Sequence, residues 1–403
     1  MKKIHKNLNV KSIIVLGGVF AFGFMGYFGL SAFTSVTYSN DLAPSAALQT
    51  SEENTSVAYI EKKPEPPIIV THIKTPDAVR GIYMSQCVVG TPSFREKLVG
   101  LIDATELNSV VIDIRDYTGK ISFTTDNAIL KDMVSDACGA RDMKAFIKEL
   151  HDKNIYVIGR ITVFQNPYYT KVHPKEAVQK KGGGVWKDYK GLAFVDVGAK
   201  PYWDTVVELS KVSYEQGFDE LNFDYVRFPS DGPMSQAVYS WDEGKTKADA
   251  LKDFFQYLHD NLKSTNVVLS VDLFGMTTSN TDDLNIGQVL ENAVPYFDFI
   301  SPMVYPSHYP ANWNGFKNPA ANPYEVIKIA MSDGVERLKT LGENPLKLRP
   351  WLQDFNLGAV YDKDKILAQI KATYDTGLNS WILWDPKNIY TKDALGKDEG
   401  VEL

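Results

Sequence analysis

The chain has 403 residues, 44% of them hydrophobic and 12% aromatic, enough to bury one large core or two smaller ones. Its formal net charge of -7 removes the electrostatic case for a nucleic-acid partner, which calls for a basic face. Two cysteines, Cys87 and Cys138, are too few for a disulfide-dense scaffold or a zinc ribbon, although outside the cytoplasm they can oxidise together.

Lys2, Lys3, Lys6 and Lys11 precede an uncharged run from Ser12 to Phe33. A helix needs about 20 apolar residues to cross a bilayer, whereas the apolar region of a cleaved signal peptide has roughly 7–15. Residues 1–11 are therefore expected to be a cytoplasmic basic flank and 12–33 an uncleaved transmembrane anchor, with the remainder extracytoplasmic on a single-pass cell-membrane protein. Cleavage near Leu30-Ser31-Ala32 is the second reading. Residues 34–78, with Ser, Thr, Ala and Glu in plenty and "EKKPEPP" at Glu61–Pro67, bury too little to fold and read as a disordered linker.

From Val79 onward, strand-like and helix-like runs alternate. Strands are expected at Val79–Ser85, Asn108–Asp116, Asn154–Phe164, within Asp219–Pro229, and at Asn266–Met276, Phe297–Pro306, Leu348–Phe355 and Asn379–Pro386. Helices are expected near Ser93–Ala104, Ala140–Lys153, Pro201–Gln216, Thr246–Lys263, Ile286–Ala293, Pro323–Leu341 and Lys363–Asp375. A long insertion after the third strand carries Gly182-Gly183-Gly184, which lacks the Lys-Ser/Thr of a phosphate loop and reads as a turn. Alternating β and α units imply a parallel sheet, and eight of them imply a closed (β/α)8 TIM barrel over 79–395, followed by a C-terminal tail, 396–403. The rival, an open doubly wound sheet, should announce itself with a glycine-rich first turn, which is absent.

Barrel strands point alternate side chains at the helices and into the interior. In "DELNFDYVRFP" (Asp219–Pro229) the apolar set is Leu221, Phe223 and Tyr225, which sends Asn222 and Asp224 inward. The same parity sends inward Tyr83 and Ser85, Asp113 and Arg115, Arg160 and Thr162, Ser270 and Asp272, then Ser301, Met303 and Tyr305, and Arg349, Trp351 and Gln353. The last strand is ambiguous, with Trp384 and Ser380 on one parity and Trp381 and Asp385 on the other. An ordinary barrel interior is filled by Val, Ile and Leu. Here polar and aromatic groups converge on the C-terminal mouth, where barrel enzymes keep their sites. A buried salt-bridge network of Asp113 or Asp224 with Arg160 or Arg115 is the structural alternative.

The inward set offers carboxylates, arginines, an amide and large rings, with no inward Cys and no His pair at metal spacing. No metal or cofactor is therefore expected, and His308 reads as a loop or substrate-contacting residue. No serine stands in a G-x-S-x-G elbow. Carboxylates beside aromatic platforms suit carbohydrate, because glycosidic cleavage needs one acid for the leaving oxygen and a second carboxylate as nucleophile or base.

The stretches "VRGIYMS", "NSVVIDIRDYTGKI", "IYVIGRITVFQNPYY", "VWKDYKGLAFVDVGAKPYWD", "GFDELNFDYVRFPSDG", "SVDLFGM", "FISPMVYPSHY" and "LRPWLQDF" together resemble the bacterial "Putative glycosyl hydrolase domain" family. The resemblance spans nearly all of Val79–Pro386 and implies a TIM barrel of glycosidase ancestry, without naming a sugar. More distantly, "FDELNFDYVRFP" is similar to the fourth-strand D-G-x-D-x-D-x-E motif of chitinase-type barrels. Asp219, Asn222 and Asp224 fall on its three Asp positions, but Val226 replaces its catalytic Glu, which argues against acetamido-assisted chemistry. Asp224 also resembles the fourth-strand nucleophile of α-amylase-type barrels, and Asp272 corresponds to their fifth-strand acid, there a glutamate.

These readings converge on a membrane-anchored extracytoplasmic glycoside hydrolase acting on a cell-surface or environmental polysaccharide. Asp224 is its expected nucleophile or base and Asp272 its acid. Arg115, Asn222 and Arg227 are expected to orient and tune them, and Tyr83, Tyr305, Trp351 and Trp384 to stack sugar rings. Asp113, Arg160 and Gln353 complete the expected substrate-binding set. Cys87 and Cys138 each follow one of the first two strands, so their loops should neighbour each other on the C-terminal face and permit a disulfide. The alternative function is a non-catalytic polysaccharide-binding barrel of the cell envelope.

Overall fold

The computed structural model describes residues 68–241 and 243–396. The expected basic flank, membrane anchor and most of the linker, as well as the tail from 397, lie outside the described residues. Among the described residues no helix is long and apolar enough to cross a membrane.

Eight parallel strands close into a barrel in sequence order. They are β1 (Arg80–Met84), β2 (Ser109–Arg115), β3 (Tyr156–Thr162), β4 (Glu220–Asp224), β5 (Val268–Phe274), β6 (Phe299–Met303), β7 (Trp351–Gln353) and β8 (Trp381–Trp384). The expected strands are all present, each trimmed by a few residues. Between them run α1 (Pro92–Asp103), α2 (Met143–Asp152), α3 (Lys200–Tyr214), α4 (Lys247–Leu262), α5 (Leu290–Ala293), α6 (Pro323–Thr340) and α7 (Lys363–Asp375). Where an ideal barrel has an eighth helix, the described chain has one 3-10 turn, Lys392–Ala394.

Local chemistry explains the helix ends. Prolines stand in the first turns of α1, α3 and α6, where a missing N–H costs nothing. The side chains of Thr246 and Asp362 accept from the N–H groups of Asp249 and Lys365 and so cap α4 and α7. Two short helices, Gln86–Val89 and Pro167–Val172, lack the length for a periodic signal and went unpredicted. The Gly182–Gly184 triplet is a turn, as expected, with all three φ angles positive. The short strand leading into it, Gln179–Lys180, pairs antiparallel with Ala237–Val238.

Strand parity divides the apolar residues into two cores. Ile82, Met84, Val110, Ile112, Val157, Ile161, Leu221, Phe223, Leu269, Val271, Ile300, Leu352 and Leu383 pack outward with the helices. Tyr83, Val111, Tyr156, Ile158, Tyr305, Trp351 and Ile382 pack within the barrel, with Met303 and Trp384 against them. This resolves β8: Ile382 and Trp384 point in, while Trp381 points out and donates its indole N–H to Tyr374 of α7 (3.0 Å).

Arg115 departs from the parity expected of it. The β2–β3 register shifts between Asp113 and Arg115, so Arg115 pairs with the outward Ile161. A bulge of this kind moves every later side chain to the other face. Arg115 accordingly lies outside the interior, fully buried, its Nε donating to the Thr162 carbonyl (2.9 Å) and its guanidinium 5.6 Å from the Tyr202 ring of α3.

The N-terminal end of the barrel is sealed. Glu220 and Arg349 form a buried pair (3.1 Å), and Tyr156 donates to Glu220 (3.0 Å). Residues at the end of the expected linker are bonded here as well. The Ile73 N–H donates to Asp219 (2.8 Å), and the Thr75 and Tyr156 hydroxyls bond to each other (2.9 Å). At the opposite, C-terminal end, Cys87 and Cys138 form a disulfide with Cα atoms 4.5 Å apart. The bond ties the loop after β1 to the loop after β2.

Candidate active site

Inward side chains from β1–β5 and β7 meet at the C-terminal half of the interior. Arg160 of β3 stands between two carboxylates. Its Nη1 donates to Asp113 of β2 (2.6 Å), while its Nη2 and Nε both reach Oδ2 of Asp224 on β4 (2.5 and 3.1 Å). The other oxygen of Asp224 accepts the N–H of Tyr225 (2.5 Å), and Tyr83 of β1 donates its hydroxyl to Asp113. The salt-bridge alternative is thus realised through Arg160 and not through Arg115. Burial raises the Asp113 carboxyl above its usual pKa, against the pull of the Arg160 charge. The paired carboxylates hold the Arg160 guanidinium charged, well above its ordinary pKa and in spite of its burial.

Asp272 of β5 has a different environment. Only 1% of the residue is exposed. Its Oδ1 accepts from Asn222 Nδ2 (2.8 Å) and from the Trp351 indole N–H (2.8 Å). Asn222 also donates to Ser270 (3.1 Å). No arginine bonds to Asp272. Burial, followed by the nearby Asp224 charge, pushes its carboxyl well above the usual range, and the bonds from Asn222 and Trp351 oppose this only in part. One carboxyl is therefore ion-paired with a shared guanidinium, while its neighbour has only neutral donors and is pushed well above the usual carboxylate range. Two carboxyl groups with environments that drive their pKa values apart are the arrangement that general acid catalysis needs.

Their spacing follows from register. Phe223 and Val271 are paired across β4 and β5. Asp224 and Asp272 are each one residue further along, so they occupy adjacent inward positions, about 4.8 Å apart at the backbone by the usual strand spacing.

Above the carboxyls lies an aromatic group. Tyr305 and Trp384 stack with centroids 5.2 Å apart, and Phe355 stands edge-on to both. His308, exposed in the loop after β6, meets the Tyr305 ring edge-on at 5.2 Å. Two other expected site residues are engaged elsewhere. The Gln353 side chain bonds to the Ser307 N–H and the Phe355 carbonyl and so fixes two mouth loops. Arg227 donates to the Phe228 carbonyl and to Ser230, with its guanidinium 4.9 Å from each of the Tyr225 and Phe274 rings. It lies at the rim, with no bond to either carboxylate. Phe355, Ser270 and Tyr225 belong to the site without having been among its expected catalytic or binding residues. The first two follow from strand position, whereas Tyr225 gives no sequence signal for the role its backbone takes. Among the described residues no cluster of His, Cys, Asp and Glu is arranged to hold a metal ion.

The fold has many relatives of known structure. A hypothetical protein from Ruminiclostridium thermocellum is 29% identical and covers 51% of this chain and 98% of its own, with a TM-score of 0.44. The PgaB (BpsB) glycoside hydrolase domain from Bordetella bronchiseptica covers 79% of this chain and 99% of its own at 14% identity, with a TM-score of 0.56. Alpha-L-fucosidase isoenzyme 2 from Paenibacillus thiaminolyticus covers 79% of this chain and 47% of its own at 10% identity, with a TM-score of 0.55. At such identities the last two establish a shared fold. No curated protein sequence matches the chain. The family described as "Putative glycosyl hydrolase domain" matches residues 81–390, the barrel almost entire, and the chain belongs to that family.

Proposed function

We propose that the barrel is a glycoside hydrolase in which Asp272 is the general acid and Asp224 the nucleophile or base, acting on a cell-surface or environmental polysaccharide outside the cytoplasm. The observation that carries this reading is the difference between neighbouring carboxyls: Asp224 is bonded to Arg160, whereas buried Asp272 is bonded only by the neutral donors Asn222 and Trp351, and burial raises its pKa. Asp272 gives a proton to the glycosidic oxygen as its bond to the anomeric carbon breaks, and the leaving sugar departs as an alcohol. Asp224 meets the cationic carbon. Carboxyls set about 5 Å apart suit retention, in which the carboxylate bonds to the anomeric carbon before water displaces it, whereas inversion needs roughly 6.5–9.5 Å. Asp224 and Asp272 stand at adjacent strand positions, with backbones about 4.8 Å apart, and the retaining route is the one proposed. In the second half the ionised Asp272 takes a proton from the attacking water and the carboxylate of Asp224 is released.

Tyr305, Trp384 and Phe355 offer apolar faces to the C–H faces of sugar rings. The Cys87–Cys138 disulfide supports an oxidising compartment, and residues 12–33 supply the proposed anchor. The rival is a barrel that binds glycan without cleaving it. A panel of reducing-end-labelled glycans separates the two, since shortened products support the hydrolase and retention of intact glycan supports the rival. Protease added to intact cells tests the topology and should release a fragment beginning within residues 34–78; a domain found only in the cytosol refutes that part.

A further inference from the structure

Strand β4 ends at Asp224, and the next residue, Tyr225, has a φ of +52°. Left-handed backbone is natural for glycine and tolerable for asparagine, but it is strained for a bulky side chain. Among the described residues other than glycine, the same conformation recurs mainly at asparagines, with Glu243 and Leu284 besides. At Tyr225 it falls immediately after a buried carboxylate at the mouth of a barrel. Strain at such a place persists only when the surroundings over-determine it.

The surroundings do so from both sides. The Tyr225 ring packs against the helix-side core, and the Arg227 guanidinium lies 4.9 Å from its centroid while also facing Phe274. On the backbone, the Asp224 carbonyl accepts from Val163 (2.8 Å) and the Tyr225 carbonyl from Phe164 (3.2 Å), so the chain on either side of the turn is tied to the end of β3. The consequence is local and chemical. The Tyr225 N–H points back at Oδ1 of Asp224 (2.5 Å), opposite the Arg160 fork on Oδ2. Both oxygens are thereby fixed, and the carboxylate has one orientation.

We propose that Tyr225 is a positioning residue for Asp224: its ring, wedged beside Arg227 and Phe274, holds the left-handed turn that aims its N–H at the carboxylate. This rests on the reading of Asp224 as nucleophile or base. Fixing a reacting group ahead of time is worth most in the chemical step, so its loss appears in kcat more than in KM.

Three variants of the full chain test it. Tyr225→Ala removes the wedge, Tyr225→Phe keeps it, and Tyr225→Asn removes the ring but tolerates the left-handed turn unaided. Tyr225→Ala should lose on the order of 10-fold or more in kcat with KM within about 3-fold, whereas Tyr225→Phe and Tyr225→Asn should stay within about 3-fold of wild type in both. Crystal structures provide a readout independent of activity: Asp224 should leave its two-sided bonding in Tyr225→Ala and keep it in the other two. Should Tyr225→Ala not fold, Tyr225→Asn alone decides, by keeping or losing that geometry. An Asp224 carboxylate unmoved in Tyr225→Ala, or equal kcat losses in all three variants, overturns the proposal. A wild type that cleaves no glycan overturns the hydrolase reading instead, and the structures still decide whether Tyr225 positions Asp224.

Discussion

Replacing Asp272 with asparagine separates the proton it carries from the place it fills. In the folded barrel, burial and then the Asp224 charge hold its carboxyl well above the usual range. In the unfolded chain an aspartate titrates near 3.9. Between the two values the folded protein carries a proton that the unfolded chain has released. Stability from this group is therefore complete below about pH 4 and is lost as pH rises towards the folded-state pKa, at about 1.4 kcal/mol per pH unit. Asparagine has the shape of the protonated acid, and its Oδ1 can still accept from Asn222 and Trp351. It never ionises. In urea unfolding, wild type should lose stability relative to Asp272→Asn as pH rises above about 4, and the variant should be at least as stable as wild type at pH 7. Activity should move the other way, with a loss of about 10²–10⁴-fold on ordinary glycosidic linkages. Aryl glycosides whose leaving groups need no proton should be hydrolysed with much smaller loss. Stability curves that run parallel for wild type and variant from about pH 4 to pH 7 would refute the raised pKa of Asp272.

Asp224→Asn should lower turnover by on the order of 10³-fold or more while still binding glycan. Its stability cost should be only about 1–3 kcal/mol by chemical denaturation, since Arg160 keeps its bond to Asp113 (2.6 Å) and no buried charge is stranded. Arg160→Gln removes the cation that Asp113 and Asp224 share, and should cost roughly 3–5 kcal/mol at pH 7, shrinking as pH falls and Asp113, whose pKa burial already raises, takes up a proton; equal stability at pH 7 would remove Arg160 from the role described. Mass spectrometry without reductant should recover the peptides of Cys87 and Cys138 linked. Replacing both with serine should lower stability by up to about 4 kcal/mol, as loop entropy implies for a sequence separation of 51 residues.

Much of the barrel was legible because its two periodicities are clean. Leu221 and Phe223 against Asn222 and Asp224, or Val110 and Ile112 against Asp113, are unambiguous under a period of two. Parity alone therefore identified most of the interior. It failed where the backbone leaves the regular ladder. Arg115 carries the same alternation signal as Asp113, yet a bulge of one residue turned it outward against Tyr202, and nothing in "NSVVIDIRD" marks a bulge. Tyr225 similarly continues the apolar alternation of Leu221 and Phe223, but the strand stops one residue before it. Composition placed residues 72–78 in a flexible linker, whereas Ile73 and Thr75 are held beneath the barrel by Asp219 and Tyr156. Those partners lie more than 80 residues away in sequence, beyond the reach of any local pattern.

The site was legible in its membership and much less so in its wiring. Asp224, Asp272, Asn222 and Arg160 all follow from inward parity, but parity cannot say which acid the arginine takes. That choice is three-dimensional. Arg160 is in register with Asn222 of β4 and with Asp113 of β2, so its long side chain reaches up to Asp224 on one side and across to Asp113 on the other. Asp272 is one strand further round, beyond the guanidinium's bonds, and receives two neutral donors instead. The α-amylase-type barrels have a glutamate at the fifth-strand position, and Asp272 has a shorter reach. Acid strength, however, is set here by desolvation and by the neighbouring anion rather than by side-chain length. The shorter chain also keeps the carboxyl down among Asn222 and Trp351, where burial raises its pKa. The short side chain is thus part of the physical reason that the carboxyl of Asp272 has a raised pKa.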